Sequence, residues 1–334
     1  MDQTISSNPN PKYKLKVIIV SVVMLLIALF AYLGFAIFVQ KAESGAEVER
    51  YIVPLKSDKI VWNELKDEGY VKSGFAIGLA NLLTGVVKVE PGAYKISKSY
   101  TPSQISRSFA KGPYMKWVVI PEGLRKEEIA DLMQETLGWS EQQKYDFNTK
   151  YTNTDPNYVE GVYFPDTYLI PLDESPEAVA KRLRAKFEEK FAPFSKQAVA
   201  QNIRWPTLLK VASIVQREAN GKSDMPLVAG IIWNRLLKNM RLEVDATLQY
   251  ARGDKGAGYW APIQVADKQI DSPFNTYKYS GLPPRPISNP GTSALEAALN
   301  PASTSCLYYL HDKKGEIHCA DTYEEHKSNI DKYL

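Results

Sequence analysis

The sequence is poor in the side chains that most enzyme chemistries use. Its 334 residues hold three histidines, His311, His318 and His326, all near the C-terminal end. None lies beside an obvious nucleophile, which argues against a Ser-His-Asp or Cys-His hydrolase. There are only two cysteines, Cys306 and Cys319. Together with His311 and His318 they match none of the common zinc spacings. No glycine-rich phosphate loop and no strong internal repeat is present. No metal and no cofactor is therefore expected. The net charge is also small, +3, of which the first 16 residues carry +2. That leaves no case for nucleic-acid binding, and a carbohydrate or protein partner fits better.

What the sequence does have is one long apolar run. Val17 to Val39 contains 23 residues without a charge. As a helix it is about 35 Å long, enough to cross a bilayer and longer than the apolar stretch of a secretory signal. Lys12, Lys14 and Lys16 precede it, whereas Lys41 and Arg50 are diluted by Glu43, Glu47 and Glu49. The positive-inside rule puts residues 1–16 in the cytoplasm as a tail, 17–39 in the membrane, and everything after Val39 outside. An oxidising compartment there permits a Cys306–Cys319 disulfide. Direct opposition across the hairpin needs a turn centred on Asp312-Lys313, whereas Gly315 suggests a centre nearer Lys314, so register leaves the pairing open.

After a polar linker, 40–49, short strands alternate with helices. Strands are expected at Tyr51–Leu55, Val87–Ile96 and Met115–Ile120, and helices at Asp58–Gly69, Gly74–Leu83, Pro102–Lys111 and Arg125–Leu137. The polar stretch Asn148–Asn157 suggests a boundary, giving a small α/β module over 50–150 and a larger domain over 151–334. The fold class is α+β. Residues 175–204 read as one or two amphipathic helices, and Met225–Asn239 as another. Residues 253–293 are irregular but aromatic, which argues for packed loops.

The chemistry that remains belongs to carboxylates. Pro206 to Glu218 reads as a helix, with Asn220-Gly221 suited to its C-cap. Leu208, Val211, Ile214, Val215 and Ala219 share one face, and Glu218 projects from it. Desolvation and the negative end of the helix dipole both favour its neutral form, as a general acid requires. The bland alternative is a structural ion pair with Arg217 or Arg235. Asp245 is a candidate second carboxylate, or else a loop or N-cap aspartate.

Several blocks, in order, carry a family likeness. Ala212-Ser-Ile-Val-Gln-Arg-Glu218, Asn234-Arg-Leu236, and Met240-Arg-Leu242 followed by Asp245, Thr247 and Tyr250 are joined by three further blocks. These are Glu160-Gly-Val-Tyr-Phe-Pro-Asp-Thr-Tyr168, the loop from Ser272-Pro-Phe-Asn-Thr-Tyr277 to Gly281–Gly291, and Thr322-Tyr-Glu-Glu-His326. From Tyr51 onward the chain resembles the YceG-like endolytic murein transglycosylases. Where many members carry a second glutamate, this chain has Gln216.

The resemblance implies Glu218 as the catalytic group. It also implies a bacterial cytoplasmic-membrane anchor with the catalytic domain outside, and a LysM-like first module. The implied reaction is cleavage of the β-1,4 bond between N-acetylmuramic acid and N-acetylglucosamine, leaving 1,6-anhydro ends. Peptidoglycan strands are the implied partner, alongside glycan-polymerising enzymes whose strands it would terminate. Asn234, Asp245, Thr247, Tyr250, Asn275 and Tyr277 are expected to order the site and contact substrate, with Trp260 as a further sugar-facing ring. A non-catalytic wall-binding scaffold and a muramidase using Asp245 to activate water are the alternatives.

Overall fold

The computed structural model describes residues 11–56, 61–153, 155 and 159–334. It is a mixed α+β structure that begins with an apolar helix, α1 (Pro11–Phe38). Lys12–Phe38 is long and apolar enough to cross a membrane, and its side chains are exposed until Ala36 and Ile37, which are buried.

The chain forms two compact units, Met1–Trp117 and Val118–Leu334. In the first, β1 (Glu49–Val53) pairs antiparallel with β2 (Gly92–Ile96), Tyr51 opposite Tyr94. Gly92 closes this hairpin against the next strand. A Cβ there would stand 2.5 Å from the Met115 carbonyl oxygen, at a backbone angle (φ 151°) that glycine tolerates best. The expected helix at 58–69 is observed as α2 (Val61–Asp67), and residues 58–60 lie outside the described residues.

Next comes α3 (Gly74–Thr84), capped by Ser73 at its start and by left-handed Gly85 at its end. α4 (Pro102–Ala110) starts on a Thr101–Gln104 capping box with proline in its first turn. Ser106 donates to Asn81 (2.6 Å), tying α4 to α3. Tyr51, Leu65, Ile77, Tyr94, Ile96, Ile105 and Phe109 fill the core between helices and strands. β3 (Met115–Val119) then carries the chain out of this unit.

The division falls after Trp117, earlier than the polar stretch at 148–157 that suggested a boundary. The reason is α5 (Lys126–Leu137), whose Ile129, Ala130 and Met133 are buried in the core of the second unit. α6 (Glu141–Asp146) runs into a π-helical turn, Phe147–Tyr151, on the same core, and β4 (Thr167–Pro171) follows.

Residues 175–204 form one long helix, α7 (Pro176–Ala200), that continues through Pro193. α8 (Trp205–Glu218) lies at the centre. The one-sided apolar face expected for it is too narrow: Leu208, Leu209, Val211, Ala212, Ser213, Ile214 and Val215 are all fully buried. α7, α9 (Met225–Leu237) and α11 (Thr292–Leu299) surround it. Ser213 fits this setting because its hydroxyl donates to the Lys210 carbonyl and accepts the Ile287 amide. Its first turn is partly exposed, and its last turn, Gln216–Glu218, also reaches open space. The helix stops at Glu218 because Ala219 turns extended, so the Asn220-Gly221 cap is not used.

α10 (Asp245–Arg252) precedes the irregular stretch, which is buried at 274–276 and 286–291, while much of 254–273 is exposed. Asn275 donates to the carbonyls of Lys268 and Ile270, and Gln249 donates to those of Trp260 and Ala261. Gly230 on α9 lets the returning chain lie flat, since a Cβ would meet the Ala302 carbonyl at 2.5 Å.

The hairpin β5 (Tyr308–His311) and β6 (Ile317–Ala320) pairs Tyr309 with Cys319, a register centred on Lys314 as Gly315 suggests. Cys306 and Cys319 are therefore not directly opposed, yet they are disulfide-bonded, with their Cα atoms 5.9 Å apart. α12 (Tyr323–Tyr333) packs on this hairpin. Replacing both cysteines by serine is expected to lower stability by about 3 kcal/mol, the chain-entropy value for a loop of roughly this length. Urea unfolding with and without reductant checks it. Equal midpoints for the oxidised wild type and the double variant would contradict the expectation.

Candidate active site

Glu218, half-buried at the end of the core helix α8, opens onto a cavity of about 340 Å³. Several other elements complete the cavity. α10 contributes Asp245 at its first position, the loop after Phe274 contributes Tyr277, and β5 contributes Tyr308 and Tyr309. Arg235 and His326 close its wall.

The Tyr309 hydroxyl donates to Glu218 Oε2 at 2.6 Å, and that of Tyr277 donates to Asp245 Oδ1 at 2.5 Å. Of the three carboxyl groups that line the cavity, Glu218 and Asp245 are each oriented by a tyrosine, and Glu243 lies 3.5 Å from Arg235. The two arginines considered as ion-pair partners for Glu218 are engaged elsewhere. Arg217 lies over the Trp260 ring at 3.8 Å. Arg235 donates to the carbonyls of Leu307, Arg241 and Leu242.

Burial pushes the Glu218 carboxyl above the usual carboxylate range, and the negative charge of Asp245 adds to the push. The Tyr309 hydroxyl, the Ala246 amide in the first turn of α10, and His311 pull the other way without cancelling it. The result is a carboxyl biased toward its protonated form yet open to a ligand-sized cavity, which is what a general acid requires.

The remaining residues singled out from sequence stand behind the cavity wall. Thr247 is buried and donates to the Val244 carbonyl, with Thr276 as a second partner, which fixes the start of α10. Asn275 accepts the Tyr277 and Lys278 amides, setting the loop that presents Tyr277. Asn234 donates to the carbonyls of Thr304 and Cys306, just ahead of β5. The Tyr250 ring is engaged by Arg125 (4.0 Å) and Phe274 (4.7 Å), and Trp260 carries Arg217. The cavity thus brings together Glu218, Asp245 and Tyr277, while Thr247, Tyr250 and Asn275 hold the segments that carry Asp245 and Tyr277, and Asn234 holds the entry to β5, which carries Tyr309.

Sequence reasoning missed Tyr309, Arg235 and His326 as cavity residues. Tyr309 sits in an ordinary-looking strand, and only the hairpin register and its packing bring it to Glu218.

Behind the wall lies a second buried carboxyl. Glu160 accepts from Asn289 Nδ2 (2.9 Å), the Lys126 amide (3.2 Å) and the Tyr250 hydroxyl (3.4 Å). Asn289 also donates to the Leu124 carbonyl and accepts the Tyr163 amide, so the pair joins three chain segments. Burial, with Glu127's charge, pushes Glu160 up to about 8, against the pull of Arg125 and Lys126. A carboxyl whose folded-state value lies above its unfolded one favours folding most below pH 4.5, and this contribution is lost as pH rises through about 8. Glu160→Gln is therefore expected to flatten the decline of folding stability between pH 5 and 8. Urea midpoints across that range test it, and an unchanged slope would contradict it.

Residues 51–332 match the model of the YceG-like family. The chain is 29% identical over 313 residues to the endolytic murein transglycosylase of Bacillus subtilis (strain 168), covering 87% of this chain and 83% of that protein. It is 26% identical to the endolytic murein transglycosylase of Streptococcus pneumoniae serotype 2, covering 81% of this chain and 55% of that protein. The crystal structure of a putative yceG-like protein from Listeria monocytogenes superposes with a TM-score of 0.62 at 26% identity. That match covers 84% of this chain and 98% of the Listeria chain.

Proposed function

Because this chain belongs to the YceG-like family, we propose that it is a membrane-anchored lytic transglycosylase that cuts peptidoglycan glycan strands internally. The observation that carries this reading is Glu218: a single carboxyl at the end of a buried helix, desolvated, held by Tyr309 and exposed to a cavity.

Protonated Glu218 gives its proton to the glycosidic oxygen between N-acetylmuramic acid and N-acetylglucosamine as that bond to C1 breaks. The carboxylate so formed takes the proton of the muramic 6-hydroxyl, whose oxygen bonds to C1. The new end is a 1,6-anhydro sugar, no water is consumed, and the enzyme returns to its starting protonation state. An internal nucleophile is worth an effective molarity of about 10⁵ M or more, so no second catalytic carboxylate is needed.

Asp245 and Tyr277 then serve to bind and orient the sugar. Asn234, Thr247, Tyr250 and Asn275 keep the cavity in shape. The first unit serves as a LysM-like glycan-binding module. α1 holds the enzyme in the cytoplasmic membrane with residues 1–16 inside and the catalytic domain outside, beside the glycan-polymerising enzymes whose new strands it would end.

The experiment is to incubate the full chain in detergent with uncrosslinked glycan strands and identify the new ends by mass spectrometry. Anhydro-muramic ends are expected. Plain reducing ends would replace this reading with a muramidase, and binding without cleavage would replace it with a scaffold.

A further inference from the structure

Helix α3 is apolar on both sides, GFAIGLANLLT, and only one side is covered. Ala76, Ile77, Ala80 and Asn81 face the core. Phe75, Leu82 and Leu83 point away from it and are 69%, 76% and 63% exposed, and Val87 just beyond is 96% exposed. A helix that is hydrophobic all round normally has a second apolar partner.

Three observations say what that partner is. First, α1 packs directly on α3 and α4, and its Ile37 belongs to their core. From Lys16, the last charge before the apolar run, about 30 Å of helix reaches Ala36, the thickness of a bilayer's hydrocarbon core. Thus α3 lies level with the place where the anchor leaves the hydrocarbon. Second, the linker does not let this unit float away. The Glu43 amide donates to the Lys98 carbonyl, and Ser97 and Ser99 donate to that of Ala46. Third, residues 71–89 contain no acidic side chain, and exposed Lys72 and Lys88 stand at the two ends of the apolar stretch. Lysines flanking an apolar helix face suit a bilayer surface with anionic headgroups.

We propose that the outer face of α3, from Phe75 to Val87, is inserted in the bilayer interface as a second membrane contact beside α1. This rests on the reading of α1 as a membrane anchor. It fixes the tilt of the first unit against the membrane rather than leaving the unit on a free tether.

The test places the full chain in nanodiscs of phosphatidylcholine and phosphatidylglycerol doped with a phosphatidylcholine bearing an acyl-chain diazirine. After irradiation, lipid adducts are mapped by mass spectrometry. Adducts are expected on α1 and on the peptide spanning Phe75–Val87. The combined Leu82→Asp and Leu83→Asp variant, altered only at exposed positions, should lose the second set at least fivefold and keep the first. Lys72→Glu with Lys88→Glu should weaken the second set more with phosphatidylglycerol present than without it. Adducts on α1 alone would overturn the proposal and leave the anchor standing. Absence of adducts from α1 as well would strike the anchor itself. A second set unchanged by the aspartates would show that it does not come from this face.

Discussion

Glu218→Gln is expected to lower glycan cleavage at least about 1,000-fold while leaving the fold and strand binding intact. General acid–base catalysis is worth roughly 10² to 10⁴ in rate, and here one group serves as both acid and base. Glutamine keeps the shape and can still accept the Tyr309 hydroxyl. It also removes an ionisable group from a site where burial disfavours charge, so the variant should be no less stable at neutral pH. Product counting and a thermal melt check the two halves. Full cleavage by the glutamine variant would show that the acid lies elsewhere.

Asp245→Asn and Tyr309→Phe are expected to move the alkaline limb of the pH–rate profile in opposite directions. Cleavage requires protonated Glu218, so the rate falls as pH rises through its ionisation. Asp245's charge raises that value and the Tyr309 hydroxyl lowers it. Removing the charge should therefore bring the limb to lower pH, and removing the hydroxyl should take it higher. The rate change is therefore expected chiefly on the limb, with a smaller change on the acidic plateau. A muramidase predicts a different pattern. If Asp245 activated water, its asparagine variant would lose two or more orders of magnitude at every pH. Limbs that move the same way in both variants would contradict the electrostatic account of the site.

Most of the helices were legible because their signals are local. Ser73, Thr101 and Ser175 cap the starts of α3, α4 and α7, and the apolar spacing does the rest. Glu218 was legible for the same reason: its position on α8 depends on residues within four of it. The all-round burial of α8 was not. Ser213 and Ala212 look like an outer face until the Ile287 amide and the Ser288 hydroxyl are seen to hydrogen-bond Ser213 there.

The polar residues Asn234 and Asn275 read as substrate ligands because an asparagine carries the same groups whether it meets a sugar or a carbonyl. Their carbonyl partners lie far away in sequence for the first and within a loop without periodicity for the second. Tyr309 was hidden for a related reason. Its contact with Glu218 spans 91 positions and depends on the hairpin's placement, which no local pattern encodes.

The central claim is that the sugar's own 6-hydroxyl, set in motion by Glu218, takes the place of water. Cleavage of uncrosslinked strands by the full chain in H₂¹⁸O tests this most directly. The account predicts new muramic ends with no ¹⁸O and a mass lower by one water than a reducing end, all of them lost in Glu218→Gln. One ¹⁸O atom incorporated per cut would mean that water attacks C1, and would contradict it.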